Sequence, residues 1–443
     1  MATISAGVPQ SGAVRPPAEQ PSSTPAPLRV LLLARDIGTD TVLALARAAV
    51  PLFALALTSF AAQHLLTRWA ASVAFDNGPL GLSILFVSVA TRLVLLALAI
   101  YVAAGAVRLG GEPLTAVAAR LTTRDARDRP DTFAGQVKVA IVPMVILYAA
   151  WNQVNWDIHK FLLAKYAVFQ DRYDFDNPDA VRDASNINFK EGWKTYIPMA
   201  IGIWLVKVVV DKATERLNWR LLDFGIVVLE CSWIVLGWLV LSPLVSQGLA
   251  LLRTREVAVW VREGAERARD LVHIDIPDIL GAGWALVWHV LNVISVQIVW
   301  PVVWVAVVGL LVGWTQGDLE ITVGRDDARR TVRTLGGLLN TTTRGIREKY
   351  APVASVARSL LRSGPFPLLT IAVLYAALMF AMGWFRWGVL NTIDPAGDGG
   401  QAFYDTVTSL LDAVAVPVRV CFLAACFAVV LRLQTDGRYS PYR

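Results

Sequence analysis

The chain has 443 residues and a mass of 48.3 kDa; it is 55% hydrophobic and 17% charged, with a mean hydropathy of +0.51. Soluble domains carry about a quarter charged residues, so this composition excludes a string of soluble domains and indicates an integral membrane protein. The formal charge of +6 is spread between apolar segments, which is the positive-inside pattern of a membrane protein and excludes a nucleic-acid partner.

Residues 1–28 are rich in Pro, Ser and Ala and hold no sustained apolar run. They read as a disordered cytoplasmic tail, because the charged and apolar regions of a signal peptide are missing. Beyond them, apolar segments long enough to cross ~30 Å of hydrocarbon recur. They fall at about 45–66, 82–107, 137–153, 193–211, 221–244, 282–313, 366–390 and 410–433. The expected fold is therefore an all-α polytopic bundle of about eight transmembrane helices with no soluble catalytic domain. Trp69, Tyr101, Trp151, Trp156, Trp193, Trp219, Trp314, Trp384 and Trp387 sit at many of the segment ends, where amphipathic rings prefer the headgroups. The segment 282–313 contains Pro301 and is too long for one straight crossing, so a kinked or strongly tilted helix is expected there.

Four regions follow from this pattern. The tail is 1–28; a six-span membrane bundle covers 29–314; residues 315–364 form a cytoplasmic piece; a two-span hairpin covers 365–443. Within the bundle, 154–192 is expected outside the cell, with WDIHKFLLAKYAVF as an amphipathic helix near the interface. Residues 326–362 read as two basic amphipathic helices whose arginines meet anionic lipid headgroups. No internal repeat marks an inverted-repeat transporter.

Orientation follows from the basic residues. Arg108, Arg120, Arg124, Arg127 and Arg129, the group Lys207, Lys212, Arg216 and Arg220, and the arginines of 315–364 all belong on the cytoplasmic side. The segment 391–409 carries Asp394, Asp398 and Asp405 and belongs outside. Both termini are then cytoplasmic. The arginine-rich loop 253–279 falls outside in this scheme, so it is either an exception or a sign that a neighbouring span is re-entrant. The abundance of Arg over Lys, with many Ala, Val and Leu residues, suggests a high-GC bacterium and hence a bacterial cytoplasmic membrane.

Charges inside apolar segments are the candidate site. Glu230 lies near the centre of LLDFGIVVLECSWIVLGWLVL, with Asp223 two turns earlier on the same face. Arg92 lies in the second segment and Arg419 in the eighth. A charge at the bilayer centre costs at least ~2.5–3.5 kcal/mol, so such groups face the bundle and pair. Arg92 or Arg419 is the expected partner of Glu230, as a structural ion pair or as a proton- or ion-coupling device. His289, Asn292 and Ser295 recur every third residue, followed by Gln297, and form a polar strip suited to interhelical hydrogen bonds or a polar path.

Other chemistry is not indicated. Cys231, Cys421 and Cys426 lie inside apolar segments as packing residues. His64, His159, His273 and His289 are scattered, without the paired spacing of a metal site. Asp171, Asp174, Asp176 and Asp179 lack the spacing of a calcium loop and read as a solvated acidic loop. No nucleotide, hydrolase or metalloprotease motif is present, and no cofactor is implied. The expected function is non-enzymatic: moving a small solute or ion, or forming part of an assembly that does. The rival is a structural or accessory subunit, partnered by other membrane subunits, of a cell-envelope complex. A membrane enzyme comes third, since lipid-handling enzymes need few soluble residues, but no paired catalytic constellation is seen.

Overall fold

The computed structural model describes residues 26–121, 133–150, 153–172, 193–217, 225–237, 299–314, 363–392 and 400–435, with single positions at 286, 356, 360 and 361. The described chain is almost wholly helical. In chain order it comprises α1 (Ala26–Asp76), α2 (Gly78–Ala106), a β-hairpin of β1 (Arg108–Leu109) and β2 (Glu112–Pro113), α3 (Leu114–Leu121), α4 (Phe133–Ala150), α5 (Gln153–Arg172), α6 (Trp193–Leu217), α7 (Gly225–Gly237), α8 (Trp300–Leu311), α9 (Pro365–Asn391) and α10 (Gly400–Thr435).

Four of these are long and apolar enough to cross a membrane: Val30–Asp76, Gly78–Ala106, Pro365–Asn391 and Thr406–Leu433. The chain is thus an all-α membrane protein, but the expected eight crossings are not found among the described residues. The apolar stretches Ile197–Val210, Gly225–Gly237 and Trp300–Leu311 are shorter, and the last two border residues outside the described ones. Val299, just before α8, is itself helical (φ −67°, ψ −44°), so Pro301 does not follow a capped helix start; the residues before 299, on which the expected kink also depends, lie outside the described residues. Helix α1 also begins inside the segment assigned to the tail, and residues 1–25 lie outside the described residues.

The core is the antiparallel pair α1/α2, joined through the single residue Asn77. Asn77 is extended (φ −146°, ψ 94°), its Oδ1 accepts a hydrogen bond from Leu80 N at 3.1 Å, and a proline follows in the first turn of α2. An N-cap of this kind stops one helix and starts the next. Just beyond it, Gly81 faces Ala70 and Ala74; a Cβ at Gly81 would overlap the Ala74 side chain and backbone. Small residues let the two backbones approach closely where lipid supplies no hydrophobic drive between helices.

At the other end of α2, Gly110 (φ 59°) and Gly111 (φ 90°) form the two-residue turn between β1 and β2, paired as Arg108 with Pro113 and Leu109 with Glu112. Two successive positive φ values are the requirement of a type I′ turn, which Gly-Gly meets without steric cost. Helix α10 packs along α1 and α2; α5 packs against α1 and α4, and α4, α8 and α9 also join the bundle. Against α10, Gly309 of α8 meets Phe427, whose ring also lies 5.4 Å edge-on from Trp314.

Candidate functional site

Gln63 on α1 and Arg92 on α2 lie about equally far from the Asn77 joint, so antiparallel packing places them side by side. Both reach Asp157 on α5. Gln63 Nε2 donates to Asp157 Oδ1 at 2.7 Å, and Arg92 Nη1 donates to the same oxygen at 3.2 Å. Tyr148, near the end of α4, closes the set: its hydroxyl accepts from Arg92 Nη1 at 2.7 Å and donates to Asp157 Oδ2. The Arg92 guanidinium also lies 5.4 Å from the centre of the Tyr148 ring, within range of a cation–π contact. Asp157 is 3% exposed and Tyr148 4%. Three donors on one buried carboxylate satisfy its charge internally, which is the condition for keeping an ion out of water.

Helix α5 presents Asp157 inward because Val154, Asp157, Phe161, Lys165 and Phe169 share its buried face at helical spacing. The stretch expected as an interfacial amphipathic helix is a helix, but its apolar face carries a carboxylate into the bundle. One turn on, Lys160 lies within electrostatic reach of Arg92 and Asp157, and of Arg386 on α9 and Asp412 on α10. Arg386 and Asp412 pair at 3.1 Å, with side chains 44% and 48% exposed. Such an exposed pair contributes only ~0–1 kcal/mol.

The depth of this group follows from α10. Arg432 Nη2 donates to Arg108 O at 3.3 Å and pairs with Asp40 at 2.8 Å, while Arg47 Nη1 donates to Ala106 O at 3.2 Å. Those bonds mark one polar end of the bundle. At 1.5 Å per residue, Asp412 lies about 30 Å from Arg432 along α10, and Arg92 lies about 24 Å from Arg108 along α2. The first interval matches the ~30 Å hydrocarbon thickness of a bilayer. Trp384 and Trp387, both exposed, lie beside Arg386, as interfacial aromatic residues do. Arg92 therefore sits nearer the Asp412 end than the centre.

The expected pairing of Glu230 with Arg92 or Arg419 is corrected. Glu230 Oε1 is bonded by Lys207 Nζ at 3.2 Å, and both side chains are largely buried. Lys207, read from the sequence as part of a cytoplasmic link, lies inside α6. The bonds of Arg92 go to Tyr148 and Asp157 instead. Arg419 has a buried Nε with no hydrogen-bond partner among the described residues, and its charge acts on Tyr375 of α9. Asp223, His289, Asn292, Ser295 and Gln297 lie outside the described residues. Most of the basic segment 326–362 does as well. Cys231, Cys421 and Cys426 are free thiols buried in the core.

Comparison of the chain with protein-family models, with characterised proteins and with solved structures finds no match in any of the three.

Proposed function

We propose that this chain is a non-enzymatic membrane protein that moves a small solute or ion across the bilayer, or belongs to an assembly that does, with the Arg92–Tyr148–Asp157 cluster as a polar station on the route. The supporting observation is the convergence of charged side chains from α2, α5, α9 and α10 on one region of the bundle. Charges in hydrocarbon are costly, and their usual uses are solute pathways and interhelical pairing. The distribution of Arg and Lys supports a bacterial cytoplasmic membrane with cytoplasmic termini. The Asp40–Arg432 pair supports placing the start of α1 and the end of α10 on one side. Anionic headgroups are the proposed partner of 326–362.

The second reading, an accessory subunit, is favoured by Arg47 and Arg432, which bond backbone carbonyls and thereby tie helix ends together. The discriminating experiment is reconstitution into liposomes on a solid-supported membrane, with currents recorded under sodium, potassium, proton, chloride and phosphate gradients. A gradient-driven current in the wild type, reduced in a folded Asp157→Asn variant, is expected. Folded protein that carries no current under any gradient overturns the transport reading in favour of the accessory one.

A further inference from the structure

Gly309 of α8 has two neighbours on the side where a Cβ would stand: Phe427 of α10 and Val356, whose Cγ1 lies 3.0 Å from that point. Val356 and Leu360 are helical positions one turn apart and are 1% and 0% exposed, whereas Leu361, also helical, is 61% exposed. Ser363 N and Gly364 N then donate to Leu360 O and Leu361 O at 3.1 and 3.2 Å. Gly364 takes a positive φ of 97°, and α9 starts at Pro365. Helices commonly end on a glycine in this conformation, which costs it no steric strain. A helix therefore runs up to Leu361, rests one side on α8 and turns into α9. Phe427 is five residues from Arg432, about 8 Å along α10, so the contact with Gly309 lies just inside that polar end of the bundle.

The sequence PVASVARSLLR, 352–362, offers such a helix a different partner on each side. Residues 352–355, 357–359 and 362 lie outside the described residues and are placed here by helical spacing alone. Successive residues turn by about 100°, so a circuit from the buried side meets Val356, Leu360 and Val353 first. Ala357, Leu361 and Ala354 come next, then Arg358 and Arg362, and last Ser355 and Ser359. That order runs from protein-facing to apolar, to basic, to polar. We infer that 352–362 is an interfacial helix at the Arg432 end, holding an anionic phospholipid against the bundle. Its first side is seated on α8, its second faces acyl chains, its arginines take the lipid phosphate, and its serines face water. The inference rests on the membrane placement proposed above and narrows the lipid contact of 326–362 to one helix and two arginines. Two observations make lipid the occupant. The exposed Leu361 is followed in the chain by Phe366, Leu369 and Val373, exposed residues of a helix long and apolar enough to cross a membrane. Amphipathic helices also settle at the boundary of headgroups and acyl chains, which is the depth set by the contact beside Phe427. An arginine at that boundary keeps its stem in apolar surroundings and reaches outward to the headgroup.

The test uses the full chain in phosphatidylcholine vesicles with or without phosphatidylglycerol. Each sample carries one nitroxide-labelled cysteine in place of Ala354, Ser355, Ala357, Ser359 or Leu361, positions that avoid the seat itself. Cys231, Cys421 and Cys426 are buried, and the unsubstituted chain taken through the labelling is the blank. Collision of the label with oxygen reports acyl chains; collision with a nickel chelate reports water. The oxygen-to-nickel ratio is expected to be high at Ala354, Ala357 and Leu361 and reversed at Ser355 and Ser359. Phosphatidylglycerol should lower nickel access at Leu361, and the shift should vanish in Arg358→Gln/Arg362→Gln, shown to be folded by gel filtration. Nickel access at Leu361 equal to that at Ser355 overturns the lipid-facing side. Access of neither reagent to Leu361 means that protein covers it, and overturns lipid as the occupant. A profile without helical period overturns the helix. A phosphatidylglycerol effect that is absent, or that survives the loss of both arginines, overturns the phosphate contact. All of these outcomes leave the transport reading to be decided by the gradient-driven current alone.

Discussion

Arg92 on α2 and Asp157 on α5 are held 3.2 Å apart while sharing Tyr148, so three helices meet at a single ion pair. Removing one member strands the other. Asp157→Asn or Arg92→Leu is expected to lower stability by ~3–5 kcal/mol, the usual cost of breaking a buried pair. The double variant Arg92→Leu/Asp157→Asn recovers part of that loss. Thermal unfolding in detergent measures all four corners of the cycle; additive losses would show that the pair is not coupled.

Lys207→Met and Glu230→Gln are each expected to destabilise the protein, again by about 3–5 kcal/mol at most. The two together should lose less than the sum of the single changes. Combining Glu230→Gln with Arg92→Leu should give no such recovery, because Arg92 serves Asp157. Recovery in that second combination, and none in the first, would reverse the assignment of partners.

Gly81→Val puts a branched side chain where even a Cβ overlaps Ala74. Overpacking of this kind costs typically ~1–3 kcal/mol, and here neither backbone can move without separating α1 from α2. A lowered melting temperature and a more protease-sensitive α1/α2 joint are the expected observations. A variant as stable as the wild type would mean the two helices are less closely apposed in the bilayer.

A reporter fused after Arg443 and one inserted within 393–399 should report opposite sides of the membrane, the first cytoplasmic. Helices α9 and α10 are tied near that loop by Arg386–Asp412, while α10 ends beside Asp40. Both reporters reading the same side would remove the α9/α10 hairpin as a pair of crossings.

Helices α2, α9 and α10 were legible in the sequence because each is a long apolar run between clear stop signals, such as Asn77 with the proline after it. The span count was not: four helices are long and apolar enough to cross among the described residues, while an apolar run such as Gly225–Gly237 borders residues outside them, and hydropathy alone does not show whether a run completes a crossing. Glu230 announced itself as a carboxylate that needs a partner. Its partner did not, since Lys207 falls near the end of an apolar run, where a lysine ordinarily reaches for headgroups. Asp157 was missed for a different reason: WDIHKFLLAKYAVF is polar enough to read as interfacial. The overlooked signal was the helical spacing of Val154, Asp157, Phe161, Lys165 and Phe169, which puts an acid in the middle of an apolar stripe.

Helix α1 is 51 residues long, about 76 Å, and touches both polar ends of the bundle: Asp40 meets Arg432, and Gln63 meets Asp157. Pro51 lies between these two attachment points and removes one backbone hydrogen bond there. The helix is therefore a lever with its weak point between two anchors. Replacing Pro51 with alanine would stiffen that lever and couple the two ends mechanically.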